Sequence, residues 1–258
     1  MIYAVVALTA LTASFLTFFS GFGLGTILMP VFALFFDLKT AIALTAIVHL
    51  LNNVFKLSLV FKHINYAIVW RFGIPALAAA FIGAWLLNGL DKSSLIIFSY
   101  QLSQTEFHVT WTCVIIGSII LLFSIVELSS KLSDLTFDPK LLLPGGLLTG
   151  FFGGLSGHQG ALRSAFLLRL NLEKTVFIAT GVAIACLVDV ARLSTYKYDF
   201  EMIKNNLPVL LVAVGSSFTG ALLGNKLFKK TSISFLKWFV GVFMLIVSIL
   251  VIAGIINK

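Results

Sequence analysis

Long stretches without a charged side chain divide the sequence into segments of membrane-spanning length. A helix that crosses the hydrocarbon core needs about 20 residues, and Lys or Arg at its ends can extend it by reaching back to the headgroups. The uncharged stretches cover residues 1–36, 40–55, 72–90, 107–126, 141–162, 175–188, 205–225 and 238–257. The pattern therefore predicts an all-α integral membrane protein with about 8–10 membrane segments.

Two apolar regions, residues 1–36 and 141–171, are too long for one span, and glycine interrupts each of them. The interruptions read SGFGLGT, from Ser20 to Thr26, and GGLSGHQGA, from Gly153 to Ala161. The apolar piece after each interruption has about ten residues and, at about 1.5 Å per residue, reaches about half the membrane. Each region is therefore predicted to form a glycine-broken or re-entrant helix pair.

The two glycine breaks lie in an internal repeat. The shared order of residues within one hydropathy pattern favours a transporter repeat, and the alternative is chance similarity between apolar segments. We divide the chain into a first membrane repeat (1–127), a linker loop (128–139) and a second membrane repeat (140–258). With an odd number of crossings in each repeat, the second repeat is inverted relative to the first. The matches are Phe18-Phe19-Ser20-Gly21 with Phe151-Phe152-Gly153-Gly154, Lys39-Thr40 with Lys174-Thr175, Thr45 with Thr180, and Lys62 with Lys197.

Composition and charge agree with a membrane chain and exclude other classes. Of the 258 residues, 59% are apolar and 11% are charged, whereas a globular protein has about 25% charged residues. The net charge of +8 comes from Lys and Arg between the apolar runs, which indicates loop charge rather than a nucleic-acid surface. Cys113 and Cys186 have no CxxC or Cys/His spacing, so neither a disulfide framework nor a metal site is predicted.

The sequence shows no catalytic constellation. Its 4 histidines have no HxxxH or HExxH spacing, and it contains neither GxSxG nor a Walker-type GxxxxGK[ST] motif. We therefore expect no enzyme, no cofactor and no ATP-driven pump.

A glycine-rich break, a proline and an Ala/Thr-rich helix follow one another in the first half, and the second half repeats the order with Ala165 in place of the proline. In the first half they are Gly21-Phe22-Gly23-Leu24-Gly25, Pro30 and residues 41–46. This pattern resembles the sulfite exporter TauE/SafE family of membrane permeases over nearly the whole chain. The resemblance implies a permease that moves small anions of the sulfite, sulfonate or sulfoacetate type across the bacterial inner membrane.

The breaks also indicate an anion site on physical grounds. A half-helix that begins inside the membrane exposes unpaired N–H groups and a partial positive charge, and glycine lets a ligand approach them. The alternative is that the glycines only allow tight helix packing. A break at half-membrane depth leaves backbone polar groups unpaired, and protein or a water-lined cavity must satisfy them. This favours a binding site at the breaks. The residues predicted to bind substrate at the breaks are Gly23, Gly25 and Thr26 in the first half, and His158, Gln159, Gly160, Arg163 and Ser164 in the second.

Arg163 lies in the first turn of the second half-helix, where the helix dipole repels a cation. An anion should offset this repulsion, and the candidates are a substrate and Asp189 on the following helix. Asp189 and Arg192 share one helical face, and we expect them to pair with each other near the membrane surface.

A polar stripe runs along the first long helix after the first break. The spacing places five residues on one side of a helix, namely Thr45, His49, Asn52, Asn53 and Lys56. Contact with lipid would be unfavourable, so the stripe should face the interior, where Asn52 and Asn53 could line a route and His49 could exchange a proton. The alternative is simple hydrogen bonding between helices.

Together these features predict a secondary transporter for small anions that works by alternating access. A passive anion channel is the alternative and would need a wide, continuous polar lining, whereas a membrane-embedded enzyme would need a clustered acid, base or metal site. The expected partners are a small anionic substrate, the lipid bilayer, and protons or another coupling ion. The sequence is also compatible with a homo-oligomer, and no nucleic-acid partner is expected.

Overall fold

Helices form nearly all of the regular structure in the computed structural model, which describes residues 1–20, 23–92, 95–102, 105–129, 131, 136–196, 200–227 and 233–256. The helices of the first half are α1 (Ile2–Ser20), α2 (Leu24–Ala33), α3 (Leu38–Val60), α4 (Tyr66–Ile68), α5 (Ile74–Lys92) and α6 (Trp111–Leu128). Those of the second half are α7 (Leu142–Ser156), α8 (Gly160–Leu167), α9 (Lys174–Thr195), α10 (Phe200–Asn205), α11 (Leu207–Leu227) and α12 (Ile233–Ile252). A π-helical turn, Val69–Gly73, joins α4 to α5, and 3₁₀ turns occur at Phe61–His63, Pro139–Leu141 and Leu168–Leu170.

The prediction of an all-α multi-pass membrane protein is confirmed. Among the described residues, 5 helices are long and apolar enough to cross a membrane. They are Leu38–His63, Tyr66–Leu90, Trp111–Leu128, Lys174–Thr195 and Leu207–Lys226. Shorter apolar helices cover Ile2–Phe18, Leu24–Ala33 and Trp238–Ile252. Some of the predicted membrane segments are therefore shorter than a full span.

Both predicted helix breaks are present. In the first half, α1 ends at Ser20 and α2 begins at Leu24; residues 21 and 22 lie outside the described residues. In the second half, α7 ends at Ser156, and Gly157 follows with φ of 83°. Glycine adopts this left-handed conformation readily, so Gly157 stops α7 without strain. The chain then turns into the short helix α8.

One element departs from the all-α prediction. A two-stranded antiparallel hairpin, β1 (Ile96–Leu102) and β2 (Thr105–Thr110), connects α5 to α6. Its strands are rich in aromatic and β-branched residues, which favour extended backbone. The Tyr100 hydroxyl donates to the Ala253 carbonyl at 2.8 Å, so the hairpin packs over the end of α12.

Glycine allows parallel helices of the two halves to approach closely. On α7, Gly146, Gly150 and Gly154 lie against the backbone of residues 72, 76 and 80, at the start of and along α5. On α11, Gly220 lies against the backbone of Leu11 on α1 in the same way. These contacts pair α5 with α7, the first helix of the second half, and α11 with α1, the first helix of the first half.

Two further pairs between the halves run antiparallel. Helix α3 packs against α9, with His49 opposite Asp189 at one end and Asn65, just beyond α3, bonded to Thr180 at the other. Helix α6 packs against α12, where Gly117 lies beside Ile252. Matching helices that meet antiparallel are what inverted repeats produce. The inversion of the second repeat relative to the membrane stays a prediction, and so do the repeat boundaries. Lys197 and residues 130 and 132–135 of the linker lie outside the described residues.

Helices α3 and α9 position the candidate site. Helix α3 begins after Asp37, whose carboxylate accepts the Thr40 backbone N–H at 3.0 Å and so satisfies one of the free donors of the first turn. The inner face of α3 buries His49, Asn52, Asn53 and Lys56. The predicted polar stripe therefore faces the protein interior.

Candidate functional site

A small cavity lies where the two helix breaks meet α3 and α9. Its volume is about 20 Å³, which is room for about one or two water molecules. Helices α1, α2, α3, α8 and α9 all contribute to its wall. The polar and charged lining residues are Thr17, Gly23, His49, Asn53, Lys56 and Arg163, and the remaining wall is formed by Phe18, Leu24, Phe177, Ile178, Gly181 and Val182.

Asp189 on α9 forms the centre of a buried polar cluster beside this cavity. Its Oδ2 lies 2.6 Å from His49 Nδ1 and accepts from Asn53 Nδ2 at 3.2 Å. Its Oδ1 accepts from Gln159 Nε2 at 3.2 Å and from Arg192 Nε at 3.0 Å. The cluster thus links both breaks through the contact between α3 and α9.

Asp189 and Arg192 pair with each other as predicted, and the depth of the pair in the membrane stays a prediction. Arg192 Nη2 lies 2.9 Å from Asp189 Oδ1, and the two side chains are only 1% and 0% exposed. The pair is therefore deep in the protein, where breaking it would leave a buried charge.

Helix α2 reaches the cavity with its N-terminus, and α8 reaches it with the side chain of Arg163. Gly23 precedes α2 and lines the wall, and Gln159 precedes α8; the structure gives neither helix a side-chain cap bond. Arg163 in the first turn of α8 lines the wall too, and its Nη1 donates to Gln159 Oε1 at 3.5 Å. Backbone N–H groups and a guanidinium therefore converge on one small space.

Cations predominate among the charged side chains of this region. Lys56, Arg163 and Arg192 are buried close to the single carboxylate of Asp189. The other buried carboxylate of the described chain, Glu127, lies at the contact between α6 and α12. A surplus of buried positive charge favours an anion, because the field of a cation is poorly screened in a medium of low dielectric constant.

A comparison with known families agrees with this geometry. The family model described as sulfite exporter TauE/SafE matches residues 6–251. The chain belongs to the sulfite exporter TauE/SafE family. No curated protein matches the sequence. Membership in TauE/SafE confirms the resemblance seen in the sequence and identifies the chain as a membrane transporter protein.

Four of the predicted substrate-binding residues lie on the cavity wall of this TauE/SafE chain, namely Gly23, His49, Asn53 and Arg163. Gln159 joins them through Asp189. Gly25 does not line the cavity and packs against α3 instead. A Cβ built on Gly25 would be 3.4 Å from Thr45 Cγ2 and 3.6 Å from His49 Cδ2. The first break therefore serves close packing of α2 on α3 as well as access to the cavity.

Asn52 is turned away from the cavity. Its Oδ1 accepts from Lys56 Nζ at 3.2 Å when its Nδ2 donates to Ser14 Oγ at 3.0 Å and to the Ser217 carbonyl at 3.2 Å. This orientation satisfies every neighbour, since Lys56 can only donate and a carbonyl can only accept. Asn52 thus orients Lys56, and a role in substrate binding stays a prediction.

The other predicted residues surround the second break without lining the cavity. The His158 ring stacks on Phe123 with centroids 5.6 Å apart, and its Nδ1 lies 3.1 Å from the Ser156 carbonyl oxygen. Gly160 begins α8, and Thr26 and Ser164 are buried in α2 and α8. Their part in binding stays a prediction as well.

Sequence reasoning missed two features of the site. Its spacing places Lys56 in the polar stripe but gives it no role in substrate binding. In the structure of this TauE/SafE chain, Lys56 lines the cavity. The contact between His49 and Asp189 was also missed, because it joins residues far apart in sequence. An ionisable residue inside an apolar helix was the available signal in both cases.

Proposed function

We propose that this chain is a secondary transporter that moves small oxyanions, sulfur-containing or organic, across the bacterial inner membrane by alternating access. Sulfite, sulfonates and sulfoacetate represent the substrate class. The proposal extends the family assignment to a mechanism, a substrate class and a particular membrane.

The observation that carries the proposal is the convergence of positive groups on one cavity. Lys56 and Arg163 line it together with the N-terminal end of α2. A guanidinium presents a planar fork of donors, and free backbone N–H groups add donors from a second direction. This set of donors suits an oxyanion, which offers several acceptor oxygens and a negative charge.

The dimensions of the cavity support alternating access. A volume of about 20 Å³ holds about one or two waters, so a sulfite-sized anion requires the wall to move. A passive channel would need a wide polar path instead. Helices α2 and α8 are short and follow glycine breaks, which provide hinge points for the movement that opens the site.

Counterflow in proteoliposomes tests this proposal. Vesicles containing the purified full chain are loaded with an unlabelled anion, and entry of the labelled anion is followed with sulfite, thiosulfate, methanesulfonate, sulfoacetate, taurine and small carboxylates. We expect saturable uptake of at least one sulfur oxyanion, accelerated by the unlabelled anion inside. Protein-free vesicles give the background. Flux that neither saturates nor responds to the internal anion would indicate a channel, and no flux of any anion would contradict the proposal.

A further inference from the structure

The two ring nitrogens of His49 face different surroundings. Nδ1 lies 2.6 Å from Asp189 Oδ2. Nε2 points towards the first break, because a Cβ built on Gly23 would lie 2.9 Å from it. Both His49 and Gly23 line the cavity. One nitrogen is therefore held by a carboxylate, and the other is directed at the space where the anion is proposed to bind.

We propose that His49 is the proton-binding residue of the transporter and takes up one proton at Nε2 for each anion bound. The inference rests on the proposed function and adds its coupling ion. On loading, a proton from the water on one side of the membrane forms the Nε2–H bond. On release of the anion to the other side, that bond breaks and the proton leaves with the anion.

Asp189 fixes which nitrogen exchanges the proton. Side-chain donors from His49, Asn53, Gln159 and Arg192 all converge on its two oxygens. An ionised carboxylate is an acceptor only and satisfies all of them. Nδ1 of His49 therefore keeps its hydrogen, and the lone pair of the neutral imidazole lies on Nε2, which is 3.4 Å from Asn53 Nδ2.

The charged groups around His49 make proton binding depend on the anion. Asp189 on α9 stabilises the imidazolium, and its charge is shared with Arg192 on the same helix. Arg163 on α8 and Lys56 on α3 line the same cavity and oppose a further positive charge there. Helix α2, which packs on the other side of His49, contributes no titratable side chain.

An anion in the cavity favours protonation of His49. Its negative charge offsets Arg163 and Lys56 and accepts a hydrogen bond from Nε2–H, so it stabilises the protonated imidazole. By linkage, the proton must strengthen anion binding by the same factor. The site therefore binds the anion and the proton together, and the pair crosses the membrane with one negative charge fewer than the anion alone.

Proton uptake on anion binding is measured in weakly buffered detergent solution with a pH indicator. Thiosulfate and methanesulfonate are the probes, because both stay ionised near neutral pH and take up no proton themselves. We expect uptake of about one proton per bound anion. On the alkaline side of the titration, affinity should fall by about tenfold per pH unit.

His49→Gln removes the titrating nitrogen and keeps a polar side chain of similar size. We expect this variant to lose the proton uptake and the pH dependence of affinity, while anion counterflow continues at a reduced rate. His63→Gln is the matched control, because His63 is exposed in the 3₁₀ turn after α3; it should behave as the wild type. Thermal unfolding of each variant shows whether it has folded.

Gly23→Ala provides a second variant that keeps both His49 and Asp189 in the chain but crowds Nε2. Gly23 has φ of −81° and ψ of 138°, which any residue adopts, and the added methyl group would lie so close to Nε2 that the ring has to shift. We expect flux driven by a proton gradient to fall more than anion counterflow.

Anion binding without proton uptake in the wild type, or unchanged uptake in His49→Gln, would overturn this inference and leave the proposed function intact. Absence of anion binding and counterflow in the wild type would overturn both.

Discussion

Gly150 on α7 lies directly against the backbone carbonyl oxygen of Ala76 on α5, so closely that a Cβ at position 150 would overlap that oxygen. Gly146 and Gly154, one turn away on either side, make equivalent contacts with the α5 backbone. Small residues that bring helix backbones together are a main source of stability between membrane helices, because lipid provides little hydrophobic driving force. The row of glycines therefore holds the two halves of the protein together.

Gly150→Ala should destabilise the protein, since α5 and α7 must separate to admit the methyl group. Overpacking of this kind costs about 1–3 kcal/mol. Thermal unfolding in detergent measures the effect. Gly215→Ala on α11 is the matched control, because none of the described residues lies within 4 Å of a Cβ at that position. The control should be neutral or slightly stabilising, since alanine favours a helix over glycine by about 0.5–1 kcal/mol. Equal effects of the two substitutions would refute the packing argument.

Asp189→Ala and Arg192→Ala should each destabilise the protein strongly. The ion pair is buried, with Arg192 Nη2 at 2.9 Å from Asp189 Oδ1, and removal of one partner from such a pair costs about 3–5 kcal/mol. The double variant leaves neither charge of the pair behind, so its loss of stability should be smaller than the sum of the single losses. Unfolding free energies of all three variants in detergent provide the cycle. Additive losses would show that the two residues act independently.

Much of the helical framework could be predicted from the sequence, because hydropathy and glycine placement are local properties. The breaks before α2 and α8 follow from apolar runs that are too long for one span. The spacing of His49, Asn53 and Lys56 on α3 predicts a buried polar face in the same way. The hairpin at residues 96–110 was not predicted, since its short apolar strands carry no signal as strong as that of a membrane helix.

The partners of the site residues could not be predicted from the sequence. Asn52 and Asn53 are adjacent, so periodicity cannot decide which one faces the cavity, and only the packing of α1 and α11 turns Asn52 towards Ser14 and Ser217. The contact of His49 with Asp189 depends on the register between α3 and α9. That register is set by tertiary packing, which helix spacing does not encode.

The different surroundings of the two asparagines give a prediction. Asn53→Leu should weaken anion binding, because Asn53 lines the cavity and donates to Asp189 at 3.2 Å. Asn52→Leu should mainly reduce stability, by about 1–3 kcal/mol, because it leaves buried hydrogen-bonding groups unsatisfied. Anion-dependent thermal shifts report binding, and the unfolding temperature without anion reports stability. If both variants lose binding only in proportion to stability, the stripe on α3 is a packing feature.

The predicted inversion of the second repeat can be tested with single cysteines. In a variant whose Cys113 and Cys186 are replaced by alanine, we introduce Tyr3→Cys at the start of α1 or Lys140→Cys before α7. Both positions are exposed. An odd number of crossings in the first repeat places them on opposite sides of the membrane. An impermeant thiol reagent should therefore label only one of them in sealed, uniformly oriented vesicles, and both after permeabilisation. Labelling of both in sealed vesicles would contradict the inversion.

Arg163 should contribute directly to anion affinity, because its side chain lines the cavity beside Lys56 and the start of α2. Lysine keeps the charge but loses the planar fork, so Arg163→Lys should weaken binding of sulfite or thiosulfate and Arg163→Ala should weaken it further. A hydrogen bond to a charged group contributes about 1.5–3 kcal/mol, which corresponds to a loss of about tenfold to over a hundredfold in affinity. Anion-dependent thermal shift measures this loss.

The alternative is that Arg163 only neutralises Asp189. In that case, adding Asp189→Ala to Arg163→Ala would restore stability. His49 and Arg192 lie directly against Asp189, so we expect no such recovery. Unchanged anion affinity in a folded Arg163→Ala protein would remove this residue from the binding site.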